Sequence, residues 1–366
     1  MAVAGGIPRG IQKQLIKYAR FYRSCFSVVF PVLSSVVFPV LSHQYGICGV
    51  CYRDTSVFYR DTIMRFKQIV RFRDLVDFFS TSSKLEIIET LQELKLLPSG
   101  RKCPKCGVGM KLGERKDLND GFVWRCSKCK TSKSIRAGTW FDRSNLTFDK
   151  IMTLTYMWSR KFTHEQVVHE LQMGEATVVD WYNFAREVCL KINDLNTNCE
   201  LGGPGKIVQI DESMFSKRKY NRGKKKKSQQ WVFGGVENEG NKCFLVKVAK
   251  RDKKTLLPII KKHVKAGSII HSDCWKAYDC LGKEGYEHLT VNHSVTFVCH
   301  NKDGDVHTNK VEGMWRHAKR SFPLCNRTRE LFDSYLAEFC YRKLRRDEPD
   351  FFLTFLKDVS AVYPVD

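Results

Sequence analysis

The chain is short of acid. Its 366 residues carry 39 aspartates and glutamates against 62 lysines and arginines, a formal net charge of +23. So lopsided a balance argues against an evenly charged surface and for a polyanionic partner, most often nucleic acid. An unbroken apolar run of membrane-spanning length is also missing. Residues 25–42 come near one, but Pro31 and Pro39 interrupt them, and no membrane partner is expected. Within that run the block SVVFPVLS occurs twice without change, at 27–34 and 35–42, and a shorter block repeats at 52–55 and 59–62. Exact short repeats mark duplication rather than a selected core. Residues 1–60 are therefore left unassigned, as a disordered or misassigned start. A disulfide framework is absent too: the fifteen cysteines are odd in number and mostly scattered, as in a reducing compartment. Apolar material is not lacking. At 43% hydrophobic the chain can build real cores, and its length allows two or three domains.

In residues 61–100, Leu75, Phe78 and Phe79, then Leu85, Ile88, Leu91 and Leu94, recur at spacings of three and four, which predicts two helices. Ser82 or Ser83 caps the second, and Pro98-Ser99-Gly100 ends it. The most specific local signal follows, over 101–140. Cys103/Cys106 and Cys126/Cys129 are two CxxC pairs with nineteen residues between them. Each pair puts two thiolates on one knuckle, and two knuckles complete a tetrahedral, structural Zn2+ site. Lys102, Lys105, Lys111, Arg115, Lys116, Arg125, Lys128 and Lys130 surround this zinc ribbon. The separate Cys48/Cys51 pair has no partner pair nearby and is weak evidence for metal.

Residues 146–200 read as a helical bundle. Ile151, Leu154, Thr155 and Trp158 form one stripe. Thr163 with Gln166 is a capping box, Met173-Gly174 a tight turn, and Val178, Val179, Trp181, Tyr182, Ala185 and Val188 a further helix. Helix, short turn, helix is the order of a DNA-binding helix-turn-helix, although an ordinary helical hairpin has the same pattern. After a glycine-rich linker at 202–205 the period changes to strands, at 207–211, 230–236, 243–249, 268–273 and 289–292, with a helix at 254–264 and another opened by Trp275, Tyr278 and Leu281. The loop after the first strand carries Lys217, Arg218, Lys219, Arg222 and a lysine run at 224–227, a candidate phosphate-binding or nuclear-localisation patch. Two helical segments, 329–345 and 350–362, close the chain.

Two of these strands end in acid, at Asp211 and Asp273. A third acid, Glu312, opens a later helix whose Val311, Met314, Trp315 and Ala318 share one face, while Lys319 projects from the same side as Glu312 two turns on. Asn309 followed by Glu312 is also a capping-box pattern. Strand, strand, strand, helix, strand, helix, strand, helix is the order of a ribonuclease H-like fold, in which three such carboxylates converge. A site of that kind can hold two Mg2+ that stabilise the attacking and leaving oxygens of a phosphodiester.

These motifs carry a resemblance. Ile210-Asp211-Glu212-Ser213, the basic stretch 217–223, Gln230-Trp231-Val232-Phe233-Gly234-Gly235, Ser272-Asp273-Cys274-Trp275-Lys276-Ala277-Tyr278 and His307-Thr308-Asn309-Lys310-Val311-Glu312-Gly313-Met314-Trp315 resemble the DDE transposase domain of the Merlin superfamily of eukaryotic DNA transposons and its bacterial insertion-sequence relatives. The family carries a zinc ribbon and a helix-turn-helix ahead of that domain, in the order met here. The resemblance implies a multidomain α+β protein: a helical N-terminal segment at 61–100, zinc ribbon at 101–140, helix-turn-helix at 146–200, ribonuclease H-like DDE domain at 206–325 and C-terminal helices at 326–366. It implies a nuclear cut-and-paste transposase that binds terminal inverted repeats of double-stranded DNA, works as a homodimer or higher assembly on DNA, and uses two Mg2+ or Mn2+ beside its zinc. By it, Asp211, Asp273 and Glu312 are the catalytic, metal-holding triad, and Lys217, Arg218, Lys219, Arg222, Arg316 and Lys319 contact DNA. Some relatives use Asn at the third position, so Asn309 stands beside Glu312 as the third ligand. A host-retained DNA-binding protein without catalysis is the alternative.

Overall fold

The protein is described by a computed structural model, over residues 62, 64–195, 200–215, 230–291, 299–301, 304–322 and 331–365. Its contacts divide the chain at residue 53, and all described residues belong to the second unit, 54–366. The repeats at 27–42, Cys48 and Cys51, and the basic loop with Lys217, Arg218, Lys219 and Arg222 lie outside the described residues.

Helices α1 (Phe72–Thr81) and α2 (Lys84–Glu93) come first. Ser83 is the cap of α2: its hydroxyl accepts from the Glu86 N–H, and Glu86 accepts from the Ser83 N–H at 2.7 Å. Strands β1 (Arg101–Lys102), β2 (Gly109–Glu114), β3 (Phe122–Cys126) and β4 (Ser132–Ser134) make a four-stranded antiparallel ribbon. Three helices follow: α3 (Phe148–Ser159), α4 (His164–Leu171) and α5 (Glu175–Leu195). Arg136 pins the ribbon to them. It is buried, pairs with Asp120, donates to the Ser144 carbonyl at 3.0 Å and lies 4.4 Å from the Phe148 ring centre. A buried cation is tolerable only with its charge and donors satisfied in this way.

The second half is built on a five-stranded sheet of β5 (Ile207–Phe215), β6 (Gln230–Glu237), β7 (Cys243–Val248), β8 (Ile269–Asp273) and β9 (Glu287–Val291), with helix α6 (Lys253–His263) between β7 and β8. The spatial order is β7-β6-β5-β8-β9, antiparallel across the first three and parallel from β5 to β9. Where the sequence pattern suggests a helix opened by Trp275, the chain makes two short 3-10 turns, 276–278 and 281–284, separated from β9 by Gly285 at φ 86. A parallel crossover needs only to span the sheet here, and a left-handed glycine ends the turn before an α-helix can propagate. Backbone strands β10 (Cys299–Asn301) and β11 (Gly304–Val306) form a small hairpin ahead of α7 (Asn309–Ser321). Helices α8 (Phe332–Leu344) and α9 (Phe351–Val362) finish the chain.

Strand alternation sends β5 side chains to two different cores. Val208 and Ile210 join Phe233, Phe244, Leu256 and Ile270 beneath α6. Phe215 joins Val232, Val236, Val311, Met314 and Trp315 beneath α7. Helix α8 belongs to two layers at once. Its Phe332, Leu336 and Cys340 pack on the sheet, whereas Tyr341 lies in the helical core with Trp158, Phe352 and Phe355. Arg342 then caps α3, donating to the carbonyls of Trp158 at 2.8 Å and Ser159 at 3.1 Å, groups that the end of a helix leaves without partners.

Candidate metal and nucleic-acid sites

In the ribbon the four sequence-picked cysteines converge. Sulfur to sulfur, Cys103–Cys129 is 3.3 Å, Cys106–Cys126 3.4 Å and Cys106–Cys129 3.7 Å, and all four lie within 4.8 Å of one another. Four thiolates at Zn–S bonds of about 2.3 Å around a tetrahedron stand roughly 3.8 Å apart, so this cluster fits a metal with little movement. Within the cluster the Thr131 hydroxyl, 3.2 Å from the Cys129 sulfur, holds that thiol down at about 6, while the neighbouring sulfurs, Cys126 first, push Cys106 up. Around the cluster Lys102, Lys105, Lys111, Lys116, Arg125, Lys128 and Lys130 are exposed, while half-buried Arg115 pairs with Asp117 at 2.9 Å.

In the helical part, α4 and α5 are joined by a turn whose left-handed residue is Gln172, at φ 49, rather than Gly174. The face expected for α5 is buried, apart from half-buried Val179. Its exposed positions are Glu175, Ala176, Asp180, Phe184 and Asp194, and its partly exposed Lys191 is paired with Glu187 at 2.7 Å. Those acids disfavour phosphate along α5, whereas the exposed cations of the ribbon favour it.

The three acids come together at the sheet. Strand β5 runs on past Asp211 to Phe215, because antiparallel pairing with β6 continues there. The parallel register of β5 and β8 sets Gln209 opposite His271, and carried two residues on it sets Asp211 level with Asp273. Both side chains therefore leave neighbouring strands on the face covered by α7. Asp211 is half-buried. Burial pushes its carboxyl up to about 6, and the charges of Asp273 and Glu312 add to that rise. Opposing them, the Trp315 indole N–H donates to Asp211 Oδ2 at 2.9 Å. That contact depends on Gly234, paired with Asp211 across the ladder: a Cβ there would stand 2.7 Å from Trp315 Cη2. Asp273 accepts from the Trp275 backbone N–H at 3.1 Å. Glu312, in the first turn of α7, is exposed and accepts from the Thr308 hydroxyl at 3.2 Å. Among the described residues the cysteines alone close to single-ion spacing; the three carboxylates form a wider set.

A capping box led by Asn309 is not what starts α7. Asn309 is already helical, and Thr308 is the N-cap residue. The first free N–H groups go to a different strand: Gln209 Oε1 accepts from Lys310 N at 2.9 Å and Val311 N at 3.1 Å. Gln209 is wholly buried, and its amide also reaches Asn238 Oδ1 and His307 Nδ1, each at 3.2 Å. The side chain two residues before Asp211 thus fixes where the helix of Glu312 begins. Sequence reading passed over it, since a glutamine in a strand has no pattern of its own; its place two residues before an acid, on the same face, was the available clue. Lys319 donates to Ser213 Oγ at 2.6 Å, on the strand face that bears Asp211, whereas Arg316 is exposed on α7. Glu212 projects to the opposite face, bonded by the Tyr278 hydroxyl, and burial pushes its carboxyl up to about 7.

Part of the chain matches a known family. Residues 201–343 match the model of the ISXO2-like transposase domain, a span that holds the sheet, α7 and all three acids. The chain is 34% identical over 102 residues to an uncharacterized transposase-like protein of Haemophilus influenzae, covering 28% of this chain and 80% of that one. It is 22% identical over 162 residues to Male abnormal protein mab-31 of Caenorhabditis elegans, covering 40% of this chain and 38% of that one. Among the described residues no helix is long and apolar enough to cross a membrane. The chain belongs to the DDE-type transposases related to those of insertion sequences.

Proposed function

We propose that the protein binds the terminal inverted repeats of a DNA element and catalyses metal-dependent strand cleavage and strand transfer, with Asp211, Asp273 and Glu312 as its catalytic triad. The observation that carries this reading is the half-buried Asp211, level with Asp273 on the face covered by α7, its carboxyl raised first by burial and then by the charges of Asp273 and Glu312. Like charges held close raise one another's affinity for a proton, and a divalent cation would relieve the same repulsion. Asp211, Asp273 and Glu312 would hold two Mg2+ or Mn2+, which when bound supply Lewis-acid stabilisation to the attacking and leaving oxygens of the phosphodiester. Trp315 holds one oxygen of Asp211 and so sets the direction of the other. Glu312, whose charge is felt at Asp211, supports the third position better than the neutral Asn309. Lys319, reaching the strand face of Asp211 through Ser213, steadies a phosphate without holding metal.

In this reading the sheet with α7 is a ribonuclease H-like domain, the cysteine cluster is a structural zinc site, and α3 to α5 are a helix-turn-helix that selects the element ends. Lys217, Arg218, Lys219, Arg222 and Arg316 add phosphate contacts, a homodimer or larger assembly pairs two DNA ends, and the work is done in the nucleus. Retention as a DNA-binding protein without catalysis is the second reading. The deciding experiment is cleavage of a labelled end fragment with and without Mg2+. Parent protein should cut only with the metal, and Asp211→Ala, Asp273→Ala and Glu312→Gln should bind the ends but not cut. Metal-independent cutting, or three variants as active as the parent, would end the catalytic reading.

A further inference from the structure

Trp275 lies in the turn that leaves Asp273 and is 40% exposed. It follows Asp273 by two residues and donates its backbone N–H to that carboxylate. The ring is nevertheless held firmly. Its indole N–H donates to the Arg251 carbonyl at 3.0 Å, and the Arg251 guanidinium lies 4.9 Å from its ring centre. The same guanidinium lies 4.0 Å from the ring centre of Trp231, which packs against the core beneath α6. Trp231, Arg251 and Trp275 thus form a stack rooted in the sheet, with its outermost ring left in solvent. Exposed lysines flank it in sequence: Lys250, Lys253, Lys254 and Lys276.

One hydrogen bond from the indole and a cation–π contact orient the ring while leaving it open, and the backbone N–H ties its residue to Asp273. A rigid aromatic plane among cations is what a nucleobase stacks on, its phosphates meeting the lysines. In an intact duplex both faces of every base are covered by neighbours, and a strand gripped at its phosphate offers an adjoining ring nothing flat. Only a base that has left the stack can reach it.

We propose that Trp275, braced by Arg251 on Trp231, is the stacking platform for one unpaired base of the DNA strand whose phosphate lies at Asp211 and Asp273. The proposal rests on the DNA-cleavage reading of that site, but its test reads binding alone.

The full-length protein, with Ca2+ present, is titrated into three labelled probes: a short oligothymidylate, the same phosphate backbone with every base replaced by an abasic spacer, and a duplex. The parent should prefer the thymidylate to the abasic strand by about tenfold, the size of one stacked base. Trp275→Ala should abolish that preference and leave abasic-strand and duplex affinities unchanged, whereas Trp275→Tyr, still aromatic, should keep most of it. Arg251→Lys retains the charge but loses the planar bracing, and it should reduce the preference. The proposal is overturned by a parent without preference, by Trp275→Ala retaining it, by Trp275→Tyr behaving as alanine, or by all three probes weakening by one common factor. Should the acid variants still cleave DNA, the catalytic reading fails while the base preference is measured independently of it.

Discussion

Replacing Gln209 tests how the acid site is assembled without touching an acid. In Gln209→Ala the N–H groups of Lys310 and Val311 lose their acceptor, now 2.9 and 3.1 Å away. Val311 is wholly buried, so water cannot replace the amide there, and a buried donor left without a partner costs about 1–3 kcal/mol. Lys310 is half-buried and recovers part of its loss from solvent. The combined penalty on docking the first turn of α7 is therefore about 2–4 kcal/mol. Hydrogen exchange measured by mass spectrometry should show amides at the start of α7 exchanging at least about 30-fold faster, with those of β6 little changed. DNA cleavage should fall because Glu312 no longer keeps its place, while DNA binding persists. Gln209→Met retains the volume and removes the acceptor, so it should behave like Gln209→Ala. Parent-like exchange and cleavage in Gln209→Met would refute the reasoning, since the helix start would then be held by something else.

The remaining tests address the metal site, the close approach, proton linkage and charge. Purified protein should contain one zinc, lost in Cys126→Ser together with the fold of the ribbon; zinc content near zero in the parent would contradict the sulfur geometry. Gly234→Ala should destabilise by about 1–3 kcal/mol through overpacking, since its Cβ would stand 2.6 Å from Leu245 Cδ2 and 2.7 Å from Trp315. It should also release the indole from Asp211, visible as lost cleavage in a protein that still binds DNA. Glu212 has a folded value of about 7 against an ordinary 4.5, so the folded state keeps a proton that the unfolded chain gives up. Its contribution to stability is accordingly largest below about 4.5 and declines, on the order of 3 kcal/mol in all, as pH rises to about 7. Chemical denaturation at the two ends of that window should show a smaller decline in Glu212→Gln than in the parent; equal declines would remove Glu212 as the cause. Finally, affinity for DNA should fall steeply with salt, and charge reversal at Lys105, Lys111, Lys128 and Lys130 should lower that slope. A slope unchanged by the reversal would take the ribbon off the DNA.

Parts of this molecule follow from local chemistry and parts do not. The cysteine spacing foretold a four-sulfur cluster because each CxxC knuckle is a short-range structure, needing only that two of them face one another. The apolar periods at Val311, Met314, Trp315 and Ala318 marked the face of α7 that is buried, and Asp211 and Asp273 stood out as acids closing apolar runs. Partnerships between segments were not legible. Nothing near Asn309 in the chain shows that α7 begins at Thr308 on an amide from β5, a hundred residues earlier. Nor does the pattern after Asp273, read there as a helix, show two 3-10 turns, or a ring at Trp275 stacked on an arginine from another crossover.

The same limit applies to charge. An excess of +23 speaks for a polyanion, yet it does not say which surface meets it. Folding leaves the lysines of the ribbon exposed and turns acids outward on α5, reversing the simplest expectation for a helix-turn-helix. What the sequence by itself determined was the chemistry within reach of a few bonds: thiol pairs, amphipathic faces, caps, and acids at strand ends. What only the tertiary structure decided was the raised carboxyl of Asp211, the helix start held by Gln209 and the open stack at Trp275. Each arises where residues far apart in the chain share one low-dielectric space, and local spacing carries no record of that.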